Sequence, residues 1–423
     1  MRSLGTVLAP RKAKIDRTKV QFSELQPITI HFDGSIDKRK IDGNREYTME
    51  LFAAQPGDVV VAKIDLKNGA VAIVPEDWTN VAVTGHFAVY EPDRSRLVPE
   101  YLHLLIQTKS FKAHLWRNKV GAEGRKEVKL DFLEAEPIPL PPLPVQRKIV
   151  AAWEAARKFA TATAAKIEQL ERNIEARFLA DLGLKAPEQA TLPKFFAVRW
   201  RDLERWSVTF NQLAGVAIDF SGGKFPVASL GDVAAVSYGI QKCPTNRPGQ
   251  HPRPYLRVAN VQRDELDLRE IKYIDVPDKE FASLRLEPGD LVVCEGNSAE
   301  LVGRPAMWRG EIPDCVHQNH ILKVRVDRSK VMPEYLLEYM SSAPARNHFR
   351  ARAKFTTNLA SINSNDLREL SVPLPPIGIQ QATIKRVAAG RAEIAKLKAD
   401  AAARADAAKA DVEAMILGVM PVV

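Results

Sequence analysis

The chain has 423 residues, 45% hydrophobic and 27% charged, which is material for more than one packed core and exceeds the usual size of a single domain. Its 61 Lys and Arg outnumber 52 Asp and Glu, giving a formal charge of +9 and a sequence pI of about 9.3, a balance that favours a polyanionic partner without naming one. Cys243, Cys294 and Cys315 form neither a C-x-x-C pair nor an even set, which argues against a disulfide-stapled secreted domain and predicts reduced thiols.

The opening MRSLGTVLAPRKAK is charged and lacks an apolar core of signal-peptide length, and no later stretch approaches the roughly 18 uncharged apolar residues of a membrane span. A soluble, cytoplasmic protein without a membrane partner is expected. Ser-Leu-Gly stands at 3–5, and Pro-Gly-Asp at 56–58 feeds the apolar run VVVAKI at 59–64, the pattern of a turn entering a buried strand. Pro-Glu-Tyr-Leu at 99–102 predicts a helix start. Pro99 suits the first turn, Glu100 suits the positive end of the dipole, and apolar residues follow at helical spacing. Pro-Leu-Pro-Pro at 139–142 cannot be helix interior and reads as a stiff extended lead-in. Behind it Ile149, Trp153, Ala156, Ala160, Thr163, Ile167, Leu170 and Ile174 fall at alternating steps of four and three, the seam of a coiled coil. As one helix, residues 144–182 would span roughly 55–60 Å at about 1.5 Å per residue.

The same signals then return in the same order. VAAVSYGI at 233–240 and YLRVANV at 255–261 are strand candidates, Pro-Gly-Asp at 288–290 precedes LVVC, and Met-Pro-Glu-Tyr-Leu occupies 332–336. PLPPLPVQ at 139–146 recurs as PLPPIGIQ at 373–380, followed by Val387, Ile394, Ala401, Ala408 and Met415 every seven residues. Glu334 minus Glu100 gives an offset of 234, which His86 and His320 share; the Pro-Gly-Asp turns differ by 232 and the Ser-Leu-Gly runs by 226. A period above 200 residues is too long for a solenoid and indicates two tandem copies of a domain-plus-helix unit. The predicted class is α+β: two mixed α/β domains, each followed by a long helix, with the two seams satisfied by antiparallel packing.

Chemistry-bearing motifs are missing. There is no G-x-x-x-x-G-K-[ST] loop and no G-x-G-x-x-G behind a strand, and the runs LPPL and LPPI lack the flanking Asn or Asp and aromatic that hold a flipped base for amino methylation. Asp58 with Asp65 and Lys67 faintly resembles a metal-nuclease set, but its copy Asp290 is followed by no such residues, so a turn role is expected. His317 and His320 have no carboxylate-rich partner segment, and His320 is matched by His86. A structural role is expected, with no metal, no cofactor and no catalytic residue in this chain.

The run P-L-P-P-L-x-x-Q-R-x-I-V at 139–150, followed by a heptad helix and repeated at 234, resembles the specificity subunit of type I restriction-modification systems, and the resemblance covers the whole chain. It implies target-recognition domains at 1–143 and 183–375, spacer helices at 144–182 and 376–418, a tail at 419–423, and pseudo-two-fold symmetry. Each domain would read half of a split site in double-stranded DNA, and the helix pair would fix the gap. Two methylation subunits would dock on the helices and two translocase-nuclease subunits would join for restriction, bringing S-adenosylmethionine, ATP and Mg with them. Two details depart from the family pattern. Val145 and Ile379 replace the usual acidic residue before Gln, and Gln381 stands where the first copy has Arg147.

Lys and Arg hold phosphates, while base edges call for Arg, Lys, Asn and Gln on loops. The candidates in the first domain are Lys63, Lys67, Asn68, Arg125 and Lys126. In the second they are Gln241, Lys242, Arg247, Arg253, Asn297, Arg304, Arg352, Lys354, Thr357 and Asn358. The expected helix seam and partner interface comprises Ile149, Trp153, Ile167, Leu170, Ile174, Val387, Ile394, Ala401, Ala408 and Met415. Competing readings are an assembly scaffold that does not bind DNA and a specificity subunit of a methylation-based phage-defence system without a type I nuclease.

Overall fold

The computed structural model describes residues 1–39, 49–120, 127–185, 195–203, 206–214, 220, 222–298, 300–356 and 359–422. The chain divides into two compact units, Met1–Ala165 with Leu397–Val423, and Lys166–Lys396.

In the first unit a four-stranded sheet runs in the order Leu8–Pro10, Phe87–Pro92, Val59–Ala62, Val71–Ile73. A second sheet runs Ile36–Lys38, Gln26–Ile30, Val81–Thr84, Leu51–Ala54, with Gln26–Ile30 parallel to Val81–Thr84. The strand behind Pro-Gly-Asp is apolar throughout because both its faces are covered. Val59 and Val61 join a core with Tyr101, Leu102 and Leu105, whereas Val60 joins Ile28, Val83 and Val89 on the opposite face. That is the two-residue period of a strand read from inside, and each such side chain contributes about 1.5–3 kcal/mol on burial.

The second unit repeats this plan. Its four-stranded sheet is ordered Ala234–Tyr238, Ile321–Val326, Leu291–Cys294, Pro305–Met307, and a smaller sheet is ordered Lys272–Asp275, Pro252–Leu256, Val316–His317 with the last two parallel. Leu291 and Val293 again face one core, Val292 and Cys294 another. Register shows where the copies differ in length. Val59 pairs with Ile73 and Leu291 with Met307, so the drift in offset from 232 to 234 falls in the connections 63–70 and 295–304.

Each unit then has a helix pair, Pro99–Gln107 with Lys109–Arg117 and Pro333–Ser341 with Ala343–Arg352, and both first helices carry Pro and Glu in the first turn. The long helices cover Leu143–Asp181 and Ile377–Ile416. In the first unit Ile149 and Val150 share a core with Val412 and Ile416, and Arg404 lies 4.3 Å from the Phe159 ring centre. In the second unit Phe178 and Leu179 share a core with Val387, and Arg386 pairs with Asp181. No helix among the described residues is long and apolar enough to cross a membrane.

Candidate nucleic-acid interface

Within each unit the repeated motifs are in contact with one another. The Tyr101 hydroxyl donates to the Pro139 carbonyl at 2.9 Å, and Tyr335 donates to Pro373 at 2.8 Å. The Gln146 amide donates to the Arg96 and Pro141 carbonyls and accepts from the Val98 N–H, all at 2.7–2.8 Å. Gln380 does the same with Lys330, Pro375 and Met332 at 2.8–3.0 Å. Both glutamines are fully buried. Their amide groups thus tie the start of each long helix to the start of the Pro-Glu-Tyr-Leu helix, a role that the sequence reading missed.

Lys63, Lys67 and Asn68 lie together in the connection between Val59–Ala62 and Val71–Ile73. Lys63 donates to the Gly85 carbonyl at 2.7 Å, Lys67 to Ile64 at 3.1 Å, and Asn68 to Asp65 at 3.2 Å. Arg125 and Lys126 lie outside the described residues.

In the second unit Gln241, Lys242 and Arg247 are exposed in the connection 239–251. Arg253, on the adjoining strand, is committed to Asp278 at 2.8 Å and Asp314 at 3.2 Å, with its guanidinium 4.1 Å from the Phe281 ring centre. Arg304 departs from the expectation of a surface contact. It is 4% exposed and donates to the Val261 and Val258 carbonyls at 2.7 and 3.1 Å, bracing the framework from inside. Arg352 pairs with Glu369 at 2.7 Å. Asn297 and Lys354 come together on one small sheet, ordered Gly296–Asn297, Ala360–Ser361, Lys354–Phe355. Thr357 and Asn358 lie outside the described residues.

Asp58 is buried, accepts from the Gln55 N–H at 2.8 Å and pairs with Arg11 at 2.8 Å; burial pushes its carboxyl up against the pull of that arginine. Asp290 likewise accepts from the Glu287 N–H and pairs with Arg325. These are turn-locking carboxylates. His86 and His320 accept equivalent backbone bonds at 3.0 Å from Lys63 and Glu295, while His317 is buried with Nδ1 against the Ile321 carbonyl at 2.9 Å.

On the long helices Ile149, Val387 and Ile394 are buried, and Trp153, Ile167, Leu170, Ile174, Ala401, Ala408 and Met415 are half-buried. The intervening positions are mostly exposed, the one-sided pattern of a seam.

A family model described as the type I restriction modification DNA specificity domain matches residues 44–172. A Methanocaldococcus jannaschii protein described as a type I restriction enzyme specificity subunit, MjaX, is 30% identical over 133 residues, 31% of each chain. The EcoKI specificity subunit of Escherichia coli K12 is 25% identical over 288 residues, 65% of this chain and 56% of that one. The chain thus spans about a third to just over half the length of these curated relatives. A chain solved in a study of complex assembly and conformational transition of the type I R-M system has a TM-score of 0.61 at 19% identity, over 98% of this chain and 95% of that one, a likeness of fold. Residues 44–172 thus match a type I specificity domain, type I specificity subunits are among the chain's sequence relatives, and a likeness of fold runs along its length.

Proposed function

We propose that this chain is the non-catalytic DNA-recognition subunit of a type I restriction-modification complex, each globular domain reading one half of a bipartite duplex site. The recognition domains are assigned to 1–143 and 183–375. The long helices pack as an antiparallel coiled coil with pseudo-two-fold symmetry, set the gap between half-sites and dock two methylation subunits, with two translocase-nuclease subunits joining for cleavage. S-adenosylmethionine, ATP and Mg belong to those partners, and the complex works in the cytoplasm.

The observation that carries this reading is that one framework is used twice with different surface connections. Strand order, the tyrosine and glutamine ties and the helix start are shared by the two units. The connections between strands differ in length and sequence. Two related but unequal surfaces suit two different half-sites, since the groove edge of each base pair demands its own donors and acceptors. For the helices, support comes from each unit separately: the start of the first shares a core with the end of the second in one unit, and the end of the first with the start of the second in the other.

Methylated bases in the host chromosome, mapped with and without this gene, test the proposal. A split recognition sequence that loses methylation only when the gene is deleted is expected. An unchanged methylation pattern, with no salt-dependent binding of duplex DNA by the complex, would leave the chain an assembly scaffold.

A further inference from the structure

Residues 11–25 of the first unit and 239–251 of the second occupy the same place in the repeated fold. Each leads from the edge strand of the four-stranded sheet to the strand that pairs in parallel in the neighbouring sheet. Leu8 pairs with Pro92 and Ala234 with Val326 on entry, and Gln26–Ile30 and Pro252–Leu256 are the parallel strands on exit. The second connection carries the exposed Lys242 and Arg247 and no acidic residue. In the first, residues 11–19 hold five cations, Arg11, Lys12, Lys14, Arg17 and Lys19, against the single acid Asp16.

This basic segment is fastened to the unit through its apolar residues and backbone. Ile15, Val20 and Phe22 pack on Leu25, Leu51 and Ala82. The Ile15 N–H donates to Leu51 at 2.9 Å and the Ala53 N–H donates to Ala13 at 2.8 Å. Arg11 is spent inward on Asp58 and Glu91, and Lys14 pairs with Glu50. Lys12, Arg17 and Lys19 are exposed, the last near Asp16 at 3.5 Å. Exposed cations on an anchored segment need little backbone ordering on binding, which favours contact with a regular array of negative charge.

We propose that residues 12–19 form a sequence-independent contact with the phosphate backbone of duplex DNA, the first domain's counterpart of the basic connection 239–251. This rests on the reading that the units bind duplex DNA. Phosphate contacts fix register without selecting bases, which is a task both domains share whatever half-site each reads.

The test uses the full chain assembled with its methylation subunits, carrying Lys12→Ala, Arg17→Ala and Lys19→Ala together. Binding to a duplex with the methylated site and to an unrelated duplex is followed against salt. The triple variant is expected to weaken both duplexes by the same factor, about tenfold, and to lower the slope of log affinity against log salt by about two to three. The methylated sequence stays the same, and Lys12→Arg with Lys19→Arg keeps the slope of the unaltered complex. A triple variant whose slope equals that of the unaltered complex would overturn the phosphate contact while leaving DNA recognition standing. A change in the methylated half-site would overturn it in favour of base reading. Absence of salt-dependent binding in the unaltered complex would overturn DNA recognition itself, and this contact with it.

Discussion

Gln146 and Gln380 show how much of the framework depends on single side chains. Each buried amide satisfies three backbone groups at the junction of two helices. Truncation leaves those groups unpaired and opens a cavity. Gln146→Ala and Gln380→Ala should each lower the unfolding free energy of their unit by about 2–4 kcal/mol in urea denaturation, and a loss below about 0.5 kcal/mol would contradict the role given to them. His317 offers a second test. Burial pushes its imidazole down to about 4 from 6.5. The unfolded chain therefore takes up a proton near pH 6.5 that the folded chain refuses, so the stabilisation is full above pH 6.5 and is lost as pH falls toward 4. His317→Leu should flatten the pH dependence of stability across that window by about 3 kcal/mol; an unchanged dependence would contradict the burial argument. Both glutamines were visible in the sequence as repeated letters, yet their role was not, because their partners are backbone groups that leave no trace in side-chain identity. Arg304 was misplaced for the same reason: its carbonyl partners turn a loop cation into an internal brace.

Elements were legible where local physics decides them. Pro99 and Pro333 mark helix starts because proline lacks the N–H that a first turn leaves unused, and the runs after Pro-Gly-Asp mark strands covered on both faces. The connections were not legible, since their paths follow from strand order across the sheet. The basic segment 11–19 could have been found by carrying the repeat alignment past Ser-Leu-Gly and asking where cations cluster in both copies. Within the second unit the helix seam makes a further prediction. A Cβ on Gly390 would lie 2.7 Å from Ile174 Cδ1, so the helices approach closely there. That Cβ would also lie 2.9 Å from Ile174 Cγ1, so Ala requires this branched side chain to shift, a cost set against about 1 kcal/mol of helix propensity. Gly390→Leu should cost about 1–3 kcal/mol by overpacking. Equal stability of the alanine and leucine variants in thermal unfolding would show that the seam is not close-packed at this position.

At the scale of the molecule, the repeat gives the chain two versions of one framework, and the proposed function requires that they act independently. If each domain reads its own half-site, the two sets of contacts add and can be exchanged separately. The direct measurement replaces residues 1–138 with the equivalent domain of a relative of different specificity and maps the methylated sequence in cells. One half of the site should change to that of the donor while the other half stays as it was; both halves changing together, or neither, would contradict two-domain recognition.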